Sequence, residues 1–65
     1  MDKALLEYEM KKAHITADEL CRRMNISRSA FYRKCNGISD FTLTEINQIV
    51  DILGLETPMD IFFAN

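Results

Sequence analysis

The stretch that most constrains the fold runs from Thr16 to Gly37, and its spacing predicts two short helices joined by a tight turn. Thr16 and Glu19 stand in the order of a capping box, in which each side chain accepts a hydrogen bond from the other residue's backbone amide. Asn25 is the non-glycine residue type that best tolerates a left-handed backbone, so it predicts the reversal after the first helix. Ser27 predicts the start of the second helix, and Gly37 its end.

The second helix of this pair has two chemically different faces. Phe31 and Cys35 are four residues apart and predict the buried face. The side chains predicted to face away from the core are Arg28, Ser29, Tyr32 and Arg33. Two helices at this spacing form a helix-turn-helix, a motif whose second helix lies in the DNA major groove and reads base edges with its first residues. Arginine suits this task because its guanidinium donates paired hydrogen bonds to guanine and fits phosphate.

The charges of the chain are distributed unevenly. The net charge is −2, which by itself argues mildly against a nucleic-acid partner. Residues 22–37 nevertheless carry five cations and no acid, whereas residues 38–65 carry five acids and no cation. Because salt screens charges beyond about 10 Å, the local field matters more than the total for meeting phosphate.

Helical periodicity continues on both sides of this motif, so the sequence predicts an all-α fold of five helices in one helix-turn-helix domain over residues 1–65. Residues 2–13 form predicted helix 1, which Asp2 caps. Thr42 and Glu45 repeat the capping-box order at the start of helix 4, and Gly54 predicts its end. The residues predicted to form one core, with a contact between the tenth and thirty-fifth side chains, are Leu6, Met10, Leu20, Met24, Ile26, Phe31, Cys35, Ile46, Ile49, Val50 and Leu53.

A short fifth helix is predicted after Thr57, with Pro58 at its first helical position. It carries Ile61, Phe62 and Phe63, which is a heavy apolar load for a terminal segment. One face of this helix can seal the core. The remainder predicts an exposed patch for a partner or a second copy of the chain.

Several classes of protein find no support in the residues. No apolar run approaches the length of about 18 residues that spans a membrane, and the first residues lack the layout of a signal peptide, so a cytoplasmic protein is expected. The chain has one His, no glycine-rich phosphate loop and no metal-spaced cluster. Neither an enzyme nor a cofactor nor a small-molecule ligand is therefore expected. Cys21 and Cys35 are expected to be two small buried thiols, with a disulfide between them left open.

The stretch T-x-x-E-L-C-x-x-M-N-I-S-x-S-x-F with its closing N-G, set in this order of five helices, resembles the phage repressor and Cro family of lambda-repressor-like DNA-binding domains. The segment SRSAFYRKCNG is especially similar to small regulators of Gram-positive bacteria and their phages. The resemblance implies sequence-specific binding of double-stranded DNA by a transcriptional regulator, as a repressor of phage or prophage type. It also implies a homodimer on DNA, for which we expect the C-terminal helix to supply the contact.

The resemblance assigns roles to particular residues. In the family the start of helix 3 reads bases, and the residues that this implies are Arg28, Ser29 and Arg33, with Tyr32 as a further candidate. Backbone amides at the start of helix 2 and groups around the end of helix 3 bind phosphate in the family. The phosphate contacts that this implies are Thr16, Ala17, Asn36, Ser39 and Thr42. Positive charge alone adds Arg22, Arg23 and Lys34.

Two positions depart from the family pattern. Many relatives pair an Arg late in helix 1 with a Glu near the end of helix 3. Here those positions are Met10 and Cys35, which are apolar together and leave no buried charge without a partner. Lys34 takes a position often filled by a large apolar residue, which predicts a slight roll of helix 3. The alternative function is a protein-interaction module, such as an antirepressor partner, that keeps the fold without binding DNA, and the acidic C-terminal half favours it.

Overall fold

The computed structural model describes residues 1–63, and five helices account for most of that stretch. The helices are α1 (Lys3–Lys12), α2 (Ala17–Met24), α3 (Arg28–Cys35), α4 (Leu43–Leu53) and α5 (Met59–Phe62). No strand occurs within residues 1–63, so the prediction of an all-α fold with five helices is confirmed. Ala64 and Asn65, which belong to the predicted domain, lie outside the described residues.

The first four helices each begin at a polar side chain that accepts a hydrogen bond from the amide three residues further on. The predicted capping box is complete at Thr42, where the Glu45 carboxylate also accepts from the Thr42 amide at 2.8 Å. The prediction of a second box at Thr16 is wrong in its second half. The carboxylate of Glu19 lies 3.6 Å and 3.7 Å from the guanidinium groups of Arg22 and Arg23 instead.

The same backbone turn follows each of these four helices. One residue takes a left-handed φ, and its amide and the next one donate to carbonyls three and five residues back, as in a Schellman motif. The left-handed residues are His14 (φ 57°), Asn25 (φ 58°), Gly37 (φ 81°) and Gly54 (φ 67°). The last three were predicted from residue type. His14 was not, because histidine indicates this conformation less strongly than glycine or asparagine does.

One hydrophobic core joins all the helices. Its buried members are Leu6, Met10, Leu20, Cys21, Met24, Phe31, Cys35, Ile49, Leu53 and Ile61. Ile46 is also buried, but outside this cluster, and Ile26 is half-buried against it. The prediction of Val50 as core is wrong. Val50 is only half-buried because it lies a third of a turn from Ile49 on α4. The contact between Met10 and Cys35 stays a prediction, although both belong to the core.

The C-terminal helix closes this core. The side chain of Ile61 is 2% exposed, and the amide of Asp2 donates to the Ile61 carbonyl at 2.7 Å. Ile61 therefore belongs to the face of this helix that seals the core, and not to its exposed remainder. Phe62 is half-buried and Phe63 is 49% exposed. The helix begins at Met59, so the prediction that Pro58 is its first residue is wrong by one position.

Edge-to-face aromatic contacts connect the motif to the C-terminal helix. The Phe31 ring lies 6.0 Å from that of Phe41, which lies 5.5 Å from that of Phe62.

Cys21 and Cys35 are free, buried thiols, as expected, and not a disulfide. Burial raises the pKa of both thiols, that of Cys35 to about 11, so both are neutral near pH 7.

Within residues 1–63 no helix has the length and hydrophobicity needed to cross a membrane.

Candidate nucleic-acid interface

The turn between α2 and α3 fixes the orientation of α3. Asn25 reverses the chain in a left-handed conformation, and the amide of Ile26 donates to the Cys21 carbonyl at 3.1 Å. Ile26 then packs against the core, which draws the turn inward. Ser27 begins α3 by accepting from the Ala30 amide at 3.0 Å. Two helices are thus joined by three ordered residues, which is the predicted helix-turn-helix.

The two faces of α3 are the predicted ones. Phe31 is 2% exposed and Cys35 is 7% exposed, so both point into the core. The four residues predicted to face outward are all exposed, namely Arg28, Ser29, Tyr32 and Arg33. The outward face therefore presents two guanidinium groups, a hydroxyl and a phenol along about one and a half turns of helix. Every one of these groups forms hydrogen bonds that suit base edges or phosphate.

Arg28 is not free on this face. Its Nη1 lies 2.8 Å from the Oδ1 of Asp18, which belongs to the first turn of α2. Its Nη2 donates to the Tyr32 hydroxyl at 2.8 Å. The bond to Tyr32 and the charge of Asp18 raise the pKa of Arg28. Sequence reasoning missed Asp18, because nothing in the spacing of residues 18 and 28 indicates that the turn brings them together.

Lys34, like Arg28, is paired with a carboxylate. Its Nζ lies 2.5 Å and 2.6 Å from the two carboxylate oxygens of Glu45 on α4. Only 16% of the Lys34 side chain and 13% of that of Glu45 are exposed. Burial raises the pKa of Glu45, but hydrogen bonds from Lys34 and from the Thr42 amide outweigh it and leave that pKa below its usual value. Lys34 therefore ties α3 to α4, and its geometry does not support the predicted phosphate contact. Since Phe31 and Cys35 are still the buried pair, no roll of the helix is needed to explain the exposed face.

The remaining residues predicted to contact phosphate are distributed over the α2 and α3 ends. Arg22 and Arg23 are 76% and 50% exposed and lie at the long distances from Glu19 given above. The Oδ1 of Asn36 accepts from the Lys3 ammonium at 3.0 Å. The structure leaves Ser39 and Thr42 exposed, Ala17 half-buried and Thr16 exposed at the start of α2. The first amides of a helix have no partner within it, which makes the start of α2 suitable for an anion.

The charge of this surface is lower than its sequence suggests. Asp18, Glu19 and Glu45 all lie outside residues 22–37, and they pair with four of the five cations there. Arg33 is the fifth. Within residues 1–63 it forms no ion pair, and its side chain is exposed. Within that part of the chain, Arg33 could therefore contact DNA without first breaking an ion pair.

The structure offers little to a metal or cofactor. Across residues 1–63, no three His, Cys, Asp or Glu side chains lie close enough to hold a metal ion. A shallow cavity of about 480 Å³ lies between the end of α1 and the start of α2. Its lining is mostly apolar and includes Met10, Ile15 and Ala17.

Comparison with known families gives one match. The model of the Cro/C1-type HTH DNA-binding domain matches residues 6–64, which include all five helices except the first residues of α1. Comparisons with curated proteins and with solved structures gave no significant match.

Proposed function

The chain belongs to the Cro/C1-type HTH DNA-binding domain family, and we propose that it binds double-stranded DNA sequence-specifically with α3 in the major groove. The observation that carries this proposal is the outward face of α3. Its four exposed side chains, two of them arginines, lie over a buried Phe31–Cys35 seam that fixes the helix on its scaffold. Exposed arginines on a fixed helix suit the reading of guanine, because a guanidinium can donate to O6 and N7 together.

We assign base reading to Arg28, Ser29 and Arg33, with Tyr32 as a further contact. Arg33 lies one turn beyond Ser29 on the same face. Phosphate contacts would come from the amides at Thr16 and Ala17 and from the exposed groups of the α2 and α3 ends. These groups belong to Arg22, Arg23, Asn36, Ser39 and Thr42. Lys34 is left out of this set because Glu45 holds it.

As a regulator, the protein would act as a transcriptional repressor of phage or prophage type, and the similarity of its third helix to small phage regulators supports this. A homodimer would place two copies of α3 in successive major grooves, about 34 Å apart. The exposed side chains of Met59 and Phe63 support a contact through the C-terminal segment. Sedimentation of the protein with and without operator DNA tests this arrangement, and a single copy per operator would reject the dimer.

The competing proposal is a protein-interaction module that keeps the fold without binding DNA. It is favoured by the pairing of four interface cations with carboxylates, and by the exposed apolar side chains of Ile38 and Leu43, which are 73% and 67% exposed. Salt distinguishes the two proposals. A DNA-binding protein is retained on immobilised DNA at low salt and released as salt rises, since it displaces counterions from phosphate.

The decisive experiment begins with selection of bound fragments from genomic DNA, which supplies an operator. Binding of Arg28→Ala and Arg33→Ala to this operator and to a scrambled sequence is then measured over a salt series. We expect each change to weaken operator binding roughly 5- to 150-fold and to relax the preference at particular base pairs. Arg22→Ala should instead weaken both DNAs alike and reduce the salt slope by about one unit. Equal losses on both DNAs for the α3 variants would demote their arginines to general electrostatic contacts.

A further inference from the structure

The Asp18–Arg28–Tyr32 cluster lies within the proposed DNA-reading surface, yet it contains a carboxylate, which phosphate repels. Asp18 belongs to α2, one position after Ala17, while Arg28 begins α3. The 2.8 Å ion pair therefore spans the turn of the motif and links the two helices that meet DNA. The pair is well exposed, at 69% for the Asp18 side chain and 55% for that of Arg28. An exposed pair contributes little to stability, and an acid in the first turn of a helix adds only about 0.3–1 kcal/mol, so Asp18 has a small part in holding the fold.

The hydrogen-bonding geometry leaves the cluster able to read a base. A guanidinium has five N–H donors, of which Asp18 takes one from Nη1 and Tyr32 takes one from Nη2. Three donors remain, and a guanine contact needs two. The Tyr32 hydroxyl accepts from Arg28 and so keeps its own hydrogen for an acceptor outside the protein. Its ring is also held at the edge of the buried Phe31 ring, with centroids 5.7 Å apart. Arg28 and Tyr32 are thus oriented before any DNA arrives.

The same carboxylate changes how Arg28 meets DNA in general. A guanidinium without a partner can pair with any backbone phosphate and adds to binding of every sequence. When Asp18 already neutralises Arg28, a non-specific phosphate must displace a carboxylate to gain the same contact. A base edge is neutral, so it can accept from the remaining N–H groups of Arg28 without displacing the Asp18 carboxylate. Discrimination of this kind works by penalising the wrong partner rather than by favouring the right one.

We propose that Asp18 is a positioning residue for DNA recognition, which orients Arg28 for base contact and withholds it from backbone phosphate. The inference rests on the proposed function and deepens it. Asp18 lowers affinity for DNA in general and thereby raises the ratio of specific to non-specific binding. It acts on DNA through Arg28.

The test compares Asp18→Asn with the unaltered chain on selected operator and scrambled DNA over a salt series. We expect Asp18→Asn to bind scrambled DNA about fivefold more tightly, the upper end of what one exposed charge pair contributes. Its salt slope on scrambled DNA should become about one unit steeper, since Arg28 gains a phosphate. Operator affinity should rise less, so the specificity ratio falls. Asp51→Asn is the matched control, because Asp51 is an exposed acid on α4, outside the proposed interface.

Further variants separate positioning from a general charge effect. Asp18→Glu, which keeps a carboxylate, should recover part of the ratio. In an Arg28→Ala background, Asp18→Asn should no longer steepen the salt slope, because the residue through which it acts is gone. Thermal unfolding of each variant shows that it is folded at the assay temperature. If the unaltered chain discriminates operator from scrambled DNA but Asp18→Asn changes neither ratio nor slope beyond Asp51→Asn, this inference is overturned while the proposed function stands. If the unaltered chain shows no salt-dependent DNA binding, both are overturned.

Discussion

The ion pair between Lys34 and Glu45 gives the sharpest test of how the fold is held together. Lys34→Met removes the ammonium but keeps an unbranched apolar stem, so the helix and its packing are preserved. It leaves the Glu45 carboxylate, only 13% exposed, with the Thr42 amide as its remaining strong donor. Removing one partner of a fully buried pair costs about 3–5 kcal/mol, and of an exposed pair about 0–1 kcal/mol. At 16% and 13% exposure this pair lies nearer the buried limit.

We therefore expect Lys34→Met to lower the free energy of unfolding by about 2–3 kcal/mol at pH 7. A domain this small has little stability to spare, and the melting temperature should fall by roughly 10–20 °C. Urea unfolding followed by circular dichroism measures the change. Arg28→Met is the matched control: the Arg28 Nη1 also meets a carboxylate, that of Asp18 at 2.8 Å, but the Arg28 and Asp18 side chains are 55% and 69% exposed. We expect that control to change the unfolding midpoint very little.

The pH dependence of this loss checks its electrostatic origin. Because the pKa of Glu45 is lower in the folded chain than in the unfolded one, the pair stabilises the fold above the unfolded value of about 4.3. This contribution is lost as the pH falls through that value and through the folded pKa. The deficit of Lys34→Met should thus shrink between pH 7 and pH 3. A deficit no larger than that of Arg28→Met, or one that is unchanged at pH 3, would falsify the ion-pair account.

Two further predictions concern the backbone and the core. His14→Gly should stabilise the protein by about 0.5–1 kcal/mol, because glycine takes the left-handed φ of 57° without the strain that histidine carries there, and thermal unfolding against a His14→Ala control measures it. Leu20→Ala and Phe31→Ala should each cost roughly 2–5 kcal/mol in urea unfolding, since these side chains are 0% and 2% exposed, and a loss below 1 kcal/mol would show that the core is not packed as described.

The sequence predicts the helices well because most of their start and stop signals are local. A capping hydroxyl, an apolar spacing of three or four residues and a glycine each act within a few residues of their own position. That locality is why Ser27, Asn25 and Gly54 were placed correctly. His14 was not predicted by the same reasoning because histidine, although enriched in the left-handed region, indicates it less strongly than glycine or asparagine does.

The sequence predicts the interface less well, because side-chain partners are set by how the helices pack. Helical periodicity and the position of Phe31 predict which residues of α3 face outward. They do not predict which of those residues already have an ion-pair partner. Asp18 lies ten residues before Arg28, and Glu45 lies eleven after Lys34. A turn or loop between helices separates each pair, so helical periodicity does not predict either contact. Only the folded arrangement of α2 and α4 around α3 brings these carboxylates to the cations.

These pairs change what the basic segment can do. If all five cations of residues 22–37 were unpaired, binding would be dominated by phosphate, and every DNA sequence would benefit alike. Instead Lys34 is used to hold α3 on α4, and Asp18 and Glu19 partly neutralise three arginines. Arg33 keeps its full charge on the outward face of α3. On the proposed function, non-specific attraction would be weakened more than base reading, because a phosphate has to compete with a carboxylate and a base does not. On this argument the acidic residues around the motif favour selectivity over affinity, and the net charge of −2 is compatible with binding DNA.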